Sequence, residues 1–132
     1  MALENIGDLN DLTSRIIKAA IDVHCQLGPG LLESAYLACL SFELRTGGLD
    51  VQTQVGLPLV YKDVKLDCGY RVDLIVNGCV VVEVKCVDQF APIHHAQLLT
   101  YLKLTNCEVG LLLNFKVPVL KSGLKRVLNT CR

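Results

Sequence analysis

The chain has 132 residues, 52% hydrophobic and 20% charged, enough to bury one sizeable core and too few for two ordinary domains. That balance excludes a disordered segment, no apolar run approaches the roughly 20 residues of a membrane span, and the start MALENIGDLNDL lacks the features of a signal peptide, so a cytoplasmic location is expected. Thirteen basic residues balance thirteen acidic ones, so net charge carries no nucleic-acid signal.

After a short tail at residues 1–8, Leu9, Leu12, Ile16, Ala20, Val23 and Leu27 recur at spacings of three and four and predict a helix over about 9–26. Gly28-Pro29-Gly30 stops it. A second helix is predicted from Leu31 through LLESAYLACLSFELRT to Gly47-Gly48, because glycine is favoured just past a helix end. VQTQVGLPLVY (51–61) reads as a strand with a bulge or bend near Gly56 and Pro58. Strands over 66–76 and 79–86 follow, joined at Asn77-Gly78, a strong hairpin signal. Helical spacing returns after Pro92 in HHAQLLTYLKL, and EVGLLLNF reads as a strand covered on both faces. Beyond Pro118, LKSGLKRVLN is expected as a final short helix. The order ααβββαβα, in one domain over 9–130, implies an α/β fold: a central mixed sheet of about four strands flanked by helices, with a right-handed crossover.

Seven cysteines (25, 39, 68, 79, 86, 107 and 131) contain no CxxC pair. Reduced thiols packed as small hydrophobes are therefore expected rather than disulfides or a zinc ribbon, with a scattered-cysteine iron-sulfur site the minor alternative. From Lys116 onward there are five basic residues (Lys116, Lys121, Lys125, Arg126, Arg132) and no acid, leaving eight basic against thirteen acidic residues, a net of minus five, before them. Such a segment can track a phosphate backbone or form a solvated helix face.

VVVEVK sets two charges inside a valine run. In a strand Glu83 and Lys85 share one face, and Val82, Val84 and Cys86 share the other. Unpaired buried charges cost several kcal/mol each, so the two need a partner, solvent or a metal, and Asp73 on the preceding strand is the natural third member. Turn parity decides whether it joins them. A strict two-residue turn at Asn77-Gly78 pairs Asp73 with Val82 and turns it to the wrong face; a three-residue loop or a bulge at Gly78 sets it across from Glu83 or diagonal to it through Val81. With that parity, two neighbouring carboxylates suit a hard cation such as magnesium or manganese, and Lys85 can position a nucleophile or stabilise negative charge, a chemistry suited to phosphodiester hydrolysis. A Glu-Lys ion pair on a half-exposed strand explains the spacing equally well.

Asp73, nine residues, then Glu83-Val84-Lys85 resembles the core motif of the PD-(D/E)XK nuclease superfamily, and the predicted order matches its restriction-endonuclease-like core. More closely, VHCQLGPGLLESAY (with Gly30, Glu33 and Tyr36), GYRVDLIV, VVVEVK, HHAQLLTYLKL and LLLNFKVP are similar, in order, to segments of the GxxExxY proteins. Val72 stands where the superfamily motif often has proline. The resemblance implies Asp73 and Glu83 as metal ligands with the Val84 carbonyl, Lys85 as the catalytic lysine, and Glu33 as an acid approaching the metal or its water; an acidic residue in a helix's first turn is also favoured by the helix dipole alone. Gln97 and Tyr101, four apart on one helix face, resemble the QxxxY element of the superfamily's exonuclease branch, and are equally accounted for as a core aromatic with its polar edge.

Tyr36 is expected to bond toward the Glu33 carboxylate or to fill the core. His94 and His95 face different directions on a helix and suit a helix-start role better than one shared metal, and His24 is expected to pack at the end of the first helix. The function implied is a Mg- or Mn-dependent nuclease acting on DNA, with RNA compatible and no membrane involved; a noncatalytic nucleic-acid or protein binding module is the alternative. A chain this small needs a homodimer or a partner protein to grip a duplex tightly.

Overall fold

The first helix, α1, spans Ile6–Leu27 in a computed structural model that describes residues 6–130. It begins three residues ahead of the expected start, and residues 1–5 of the expected tail lie outside the described residues. Leu9, Leu12, Ile16, Ala20 and Val23 are buried along one stripe, whereas Leu27 is exposed. Gly28 ends the helix at φ +71°, with its amide 2.8 Å from the His24 carbonyl, a left-handed conformation that glycine adopts without strain. The second helix, α2, spans Glu33–Thr46 and so starts two residues later than expected. Leu32 caps it in an extended conformation, which makes Glu33 its first residue.

The strands β1 (Val51–Tyr61) and β2 (Val64–Val76) form a long antiparallel hairpin whose register shifts between Leu57 and Leu59, where the sequence predicts a bulge. β3 (Val80–Lys85) pairs antiparallel with β2 and parallel with β4 (Val109–Asn114), and α3 (Pro92–Thr105) crosses between them. The sheet runs in the order β1-β2-β3-β4-β5. Val80, Val82 and Val84 pack with Ile16, Tyr36 and Leu40 beneath α1 and α2, while Val72, Ile75 and Val81 pack with Leu98 and Leu102 beneath α3. Cover on both faces is why β3 and β4 read as nearly unbroken apolar runs. Gly110 lets α3 approach closely, because a Cβ there would lie 2.8 Å from the Leu98 side chain.

The expected final helix is absent. Residues Leu120–Gly123 form one 3-10 turn, and β5 (Leu124–Leu128) adds a fifth strand antiparallel to β4. Leu120, Leu124, Val127 and Leu128 have helical spacing, yet β4 is buried along its whole length and its free edge would otherwise leave backbone groups without partners. Gly123 makes the pairing feasible: a Cβ there would collide with the Asn114 carbonyl oxygen. Among the described cysteines Cys107 is buried, Cys39, Cys79 and Cys86 are partly buried, and Cys25 and Cys68 are exposed, so core packing accounts for only some of them.

Candidate active site

The turn between β2 and β3 has three residues, with Val76 pairing Val80, Ile75 pairing Val81 and Leu74 pairing Val82. Asn77 and Gly78 take left-handed conformations at φ 52° and 65°, and the Cys79 amide donates to the Val76 carbonyl at 3.0 Å. Cys79 is thus the extra residue that shifts the parity. One further step in this register sets Asp73 across from Glu83, as the shared site requires. The turn is held from outside the hairpin: the Asp50 amide donates to Asn77 Oδ1 and the Asn77 amide to the Asp50 carbonyl, both at 2.8 Å.

The backbone ladder gives way to side chains at this step. The Asp73 amide donates to Glu83 Oε2 at 2.8 Å, and the Val84 amide donates to Asp73 Oδ2 at 2.8 Å. Each carboxylate takes an amide of the opposite strand, which holds both side chains at the open end of the pairing. Glu83 is buried and Asp73 half-buried. Loss of water, then repulsion from Asp73, raises the Glu83 carboxyl from an ordinary 4.5 to about 7. Burial likewise raises Asp73, against the Val84 amide and the Lys85 charge, which favour its ionised form. Lys85 Nζ lies 3.9 Å from Glu83 Oε1 on the same half-buried face.

Side-chain alternation slips beside Asp73: Leu74 and Val76 belong to the α1/α2 core, yet Val72 joins Ile75 in the α3 core. On the adjacent strand Gln54 has φ 51°, so the irregularity crosses both strands. Glu33, exposed at the start of α2, accepts the Cys86 amide at 3.2 Å with Oε2, and its charge raises both Asp73 and Glu83. Tyr101 is buried on α3, and its hydroxyl is pushed up by burial and then by the charges of Glu83 and Asp73, which marks it as their neighbour. Gln97 shares a cavity with it.

Tyr36 does not turn to Glu33. It is fully buried, stacks on Phe115 with ring centroids 4.4 Å apart, and ties down the loop ahead of Glu33 by donating to the Gly28 carbonyl and accepting the Leu31 amide. His94 Nδ1 accepts the Ala91 amide at 2.9 Å at the start of α3, and His24 is buried with Nε2 2.8 Å from the Val117 carbonyl oxygen. The described basic residues near the C-terminus do not form one helix face, and Arg132 lies outside the described residues. Lys125 and Arg126 are neighbours on β5, so they point to opposite faces; Arg126 bonds Asn10 on α1 at 2.7 Å, Lys116 pairs with Asp88 at 2.8 Å, and Lys121 is exposed on the 3-10 turn.

A family model described as the PD-(D/E)XK nuclease superfamily matches residues 10–127. The chain belongs to that superfamily. Among curated proteins and solved structures, nothing matches it. Its sheet and flanking helices form a restriction-endonuclease-like fold, and the superfamily generally uses divalent cations.

The donor set of this PD-(D/E)XK protein fits such a cation. Each carboxylate gives one oxygen to an amide, leaving Asp73 Oδ1 and Glu83 Oε1, and two crowded acids faced by one ammonium lack positive charge. The Val84 carbonyl offers a third hard oxygen. In a strand the amide and carbonyl of one residue point to the same side, and the Val84 amide points to Asp73 on β2, whereas the Lys85 carbonyl accepts the Phe115 amide on the β4 side at 2.9 Å. Among the described residues no three His, Cys, Asp or Glu side chains converge on a metal-sized site, so the set consists of two carboxylates and a carbonyl, with Glu33 held one step away on the Cys86 amide.

Asn114, within LLLNFKVP, is not one of the candidate site residues above, yet it holds the strand end beside the site. Buried at the end of β4, it accepts the Val87 and Lys116 amides, each at 3.1 Å, and donates to the Val87 carbonyl at 2.8 Å. It clamps the chain just beyond Lys85. Its signal is an asparagine ending an apolar run, LLLN, where a satisfied buried amide is the alternative to a helix cap.

Proposed function

We propose that this protein is a divalent-cation-dependent nuclease that hydrolyses DNA phosphodiester bonds. The observation that carries the proposal is the reciprocal exchange of amides between Asp73 and Glu83 at the open end of the β2–β3 ladder, with Lys85 on the same face. Both carboxylates are held on backbone amides and need no rearrangement to present their remaining oxygens. Asp73, Glu83 and the Val84 carbonyl would hold the cation, and Glu33 would orient water from the α2 side. A bound cation supplies Lewis-acid polarisation of the phosphoryl oxygen and a more acidic water. The Lys85 ammonium orients the attacking water and balances charge growing on the phosphate. Burial and Asp73 raise the cation-free Glu83 carboxyl to about 7, so cation binding would displace its proton and weaken as pH falls below neutral.

The test is cleavage of single-stranded, duplex and branched DNA and of RNA in Mg²⁺ or Mn²⁺, comparing wild type with Asp73→Ala and Lys85→Ala. A fall of at least about 10²-fold in each variant is expected. Equal activity in all three proteins would overturn the assignment. In parallel, Mg²⁺ is expected to raise the melting temperature of wild type and not of Asp73→Ala, because a ligand bound only by the folded state stabilises it.

A further inference from the structure

On the α3 side of the sheet, α3 and the β1–β2 hairpin line an open cavity of about 270 Å³. Leu59 and Tyr70 line it from the hairpin, and Ile93, Ala96, Gln97 and Tyr101 from the helix. Tyr70 and Tyr101 meet edge to face with ring centroids 6.5 Å apart. Tyr101 lines this space from α3 and packs with Val81 of β3, and Glu83, two residues on, shares the Val81 face. The cavity therefore lies on the sheet face that carries the proposed catalytic residues.

We infer that this cavity is a nucleobase pocket, receiving the base of one unpaired nucleotide next to the phosphodiester held at Asp73, Glu83 and Lys85. The inference rests on the nuclease reading and specifies its substrate as single-stranded or frayed. Size favours one flat ring system, since pockets for larger ligands run about 300–1,000 Å³. Charge disfavours a phosphate here, because no lysine or arginine lines the space and the charges of Glu83 and Asp73 reach its Tyr101 wall. Two tyrosines and the aliphatic walls suit the faces of a base, and stacking of this kind tolerates every base. The Gln97 amide supplies both a donor and an acceptor for its edge; the Thr100 hydroxyl, also on the lining, is already given to the Ala96 carbonyl at 3.1 Å. Ile93 and Tyr70 are 69% and 45% exposed at the rim, apolar surface that a base would cover. A base stacked within a duplex reaches such a pocket only by leaving the helix, at a cost of a few kcal/mol.

The experiment titrates the full-length Lys85→Ala chain into a single-stranded oligonucleotide carrying one 2-aminopurine, in Mg²⁺, so that the probe stays whole while binding is read. Binding is expected to quench the fluorescence, and a blunt duplex carrying the same base is expected to bind at least tenfold more weakly without quenching. Ala96→Trp, made at an exposed helix position, fills the cavity without touching the core and is expected to abolish the quench. Tyr70→Ala should weaken binding about 5- to 150-fold, the loss of one base–aromatic stack. An unquenched single strand, equal binding by Ala96→Trp, or equal binding of the duplex would overturn the pocket. The two readings fail separately. A quench lost in Ala96→Trp, without cleavage by wild type, keeps the pocket and removes the nuclease; cleavage lost in Asp73→Ala, with a binding site indifferent to Ala96→Trp, does the reverse.

Discussion

The two hairpins of the sheet differ by one loop residue, and that difference separates scaffold from site. Between β1 and β2, Tyr61 pairs Val64 across Lys62-Asp63, a strict two-residue turn with φ of 48° and 65° and no glycine to relieve it. Between β2 and β3, Asn77 and Gly78 take similar angles, but Cys79 adds a third residue before pairing resumes. The first turn sits at an exposed tip, beyond the Leu59 and Tyr70 walls of the cavity and away from the carboxylates. The second shifts every side chain of β3 by one face relative to a two-residue turn, bringing Glu83 and Lys85 across from Asp73 instead of burying them under α1 and α2. A sheet's face assignment is binary, so one residue decides it.

Deleting Cys79 should break this comparison most severely. It would drive Glu83 and Lys85 toward the α1/α2 core, and a loss of several kcal/mol in chemical denaturation is expected, with the Mg²⁺ response gone. An equivalent deletion at Lys62 should leave the Mg²⁺ response intact. Asn77→Ala comes next, since it removes the acceptor for the Asp50 amide and leaves an alanine at positive φ; a cost of about 1–3 kcal/mol in the same measurement is expected.

Glu83→Gln should act in the opposite direction. The folded carboxyl is raised from 4.5 to about 7, so the folded state holds the proton more tightly and the cation-free wild type loses stability as pH rises from about 4.5 through 7, then levels off. The glutamine keeps an acceptor for the Asp73 amide and carries no charge. Its melting temperature in EDTA should exceed that of wild type at pH 8 by roughly 3–8 °C, with little gain at pH 4.5. A constant difference at both pH values would count against the buried charge as the cause. The smallest effect belongs to the exposed turn: Lys62→Asn with Asp63→Gly should stabilise by about 0.5–1 kcal/mol, without altering cation binding.

The elements with one dominant local signal were legible. The α1 stripe, the glycine stop at Gly28, the strand irregularity at Pro58 and the covered strands β3 and β4 all follow from spacing and residue type. The last element runs against its own spacing: Leu120, Leu124 and Val127 recur as in a helix, while their fate depends on an open edge of β4, a fact about distant chain. Tyr36 was legible as an important aromatic, but not as the clasp on the Gly28 loop, since its partners appear only after α1 and α2 pack together. Asn114 and the slip at Gln54 left no periodic trace, because each is a single polar residue answering to a neighbouring strand.

For the site, the sequence by itself determined the ingredients: two acids and a lysine at alternating strand positions, and a turn signal whose parity was decisive. Nothing local distinguishes a two-residue from a three-residue turn at Asn77-Gly78, because both use the same left-handed pair. The tertiary structure decided it. Asp50, brought alongside by the end of α2, binds the amide and side chain of Asn77, and with the turn held there β3 begins one residue later, at Val80.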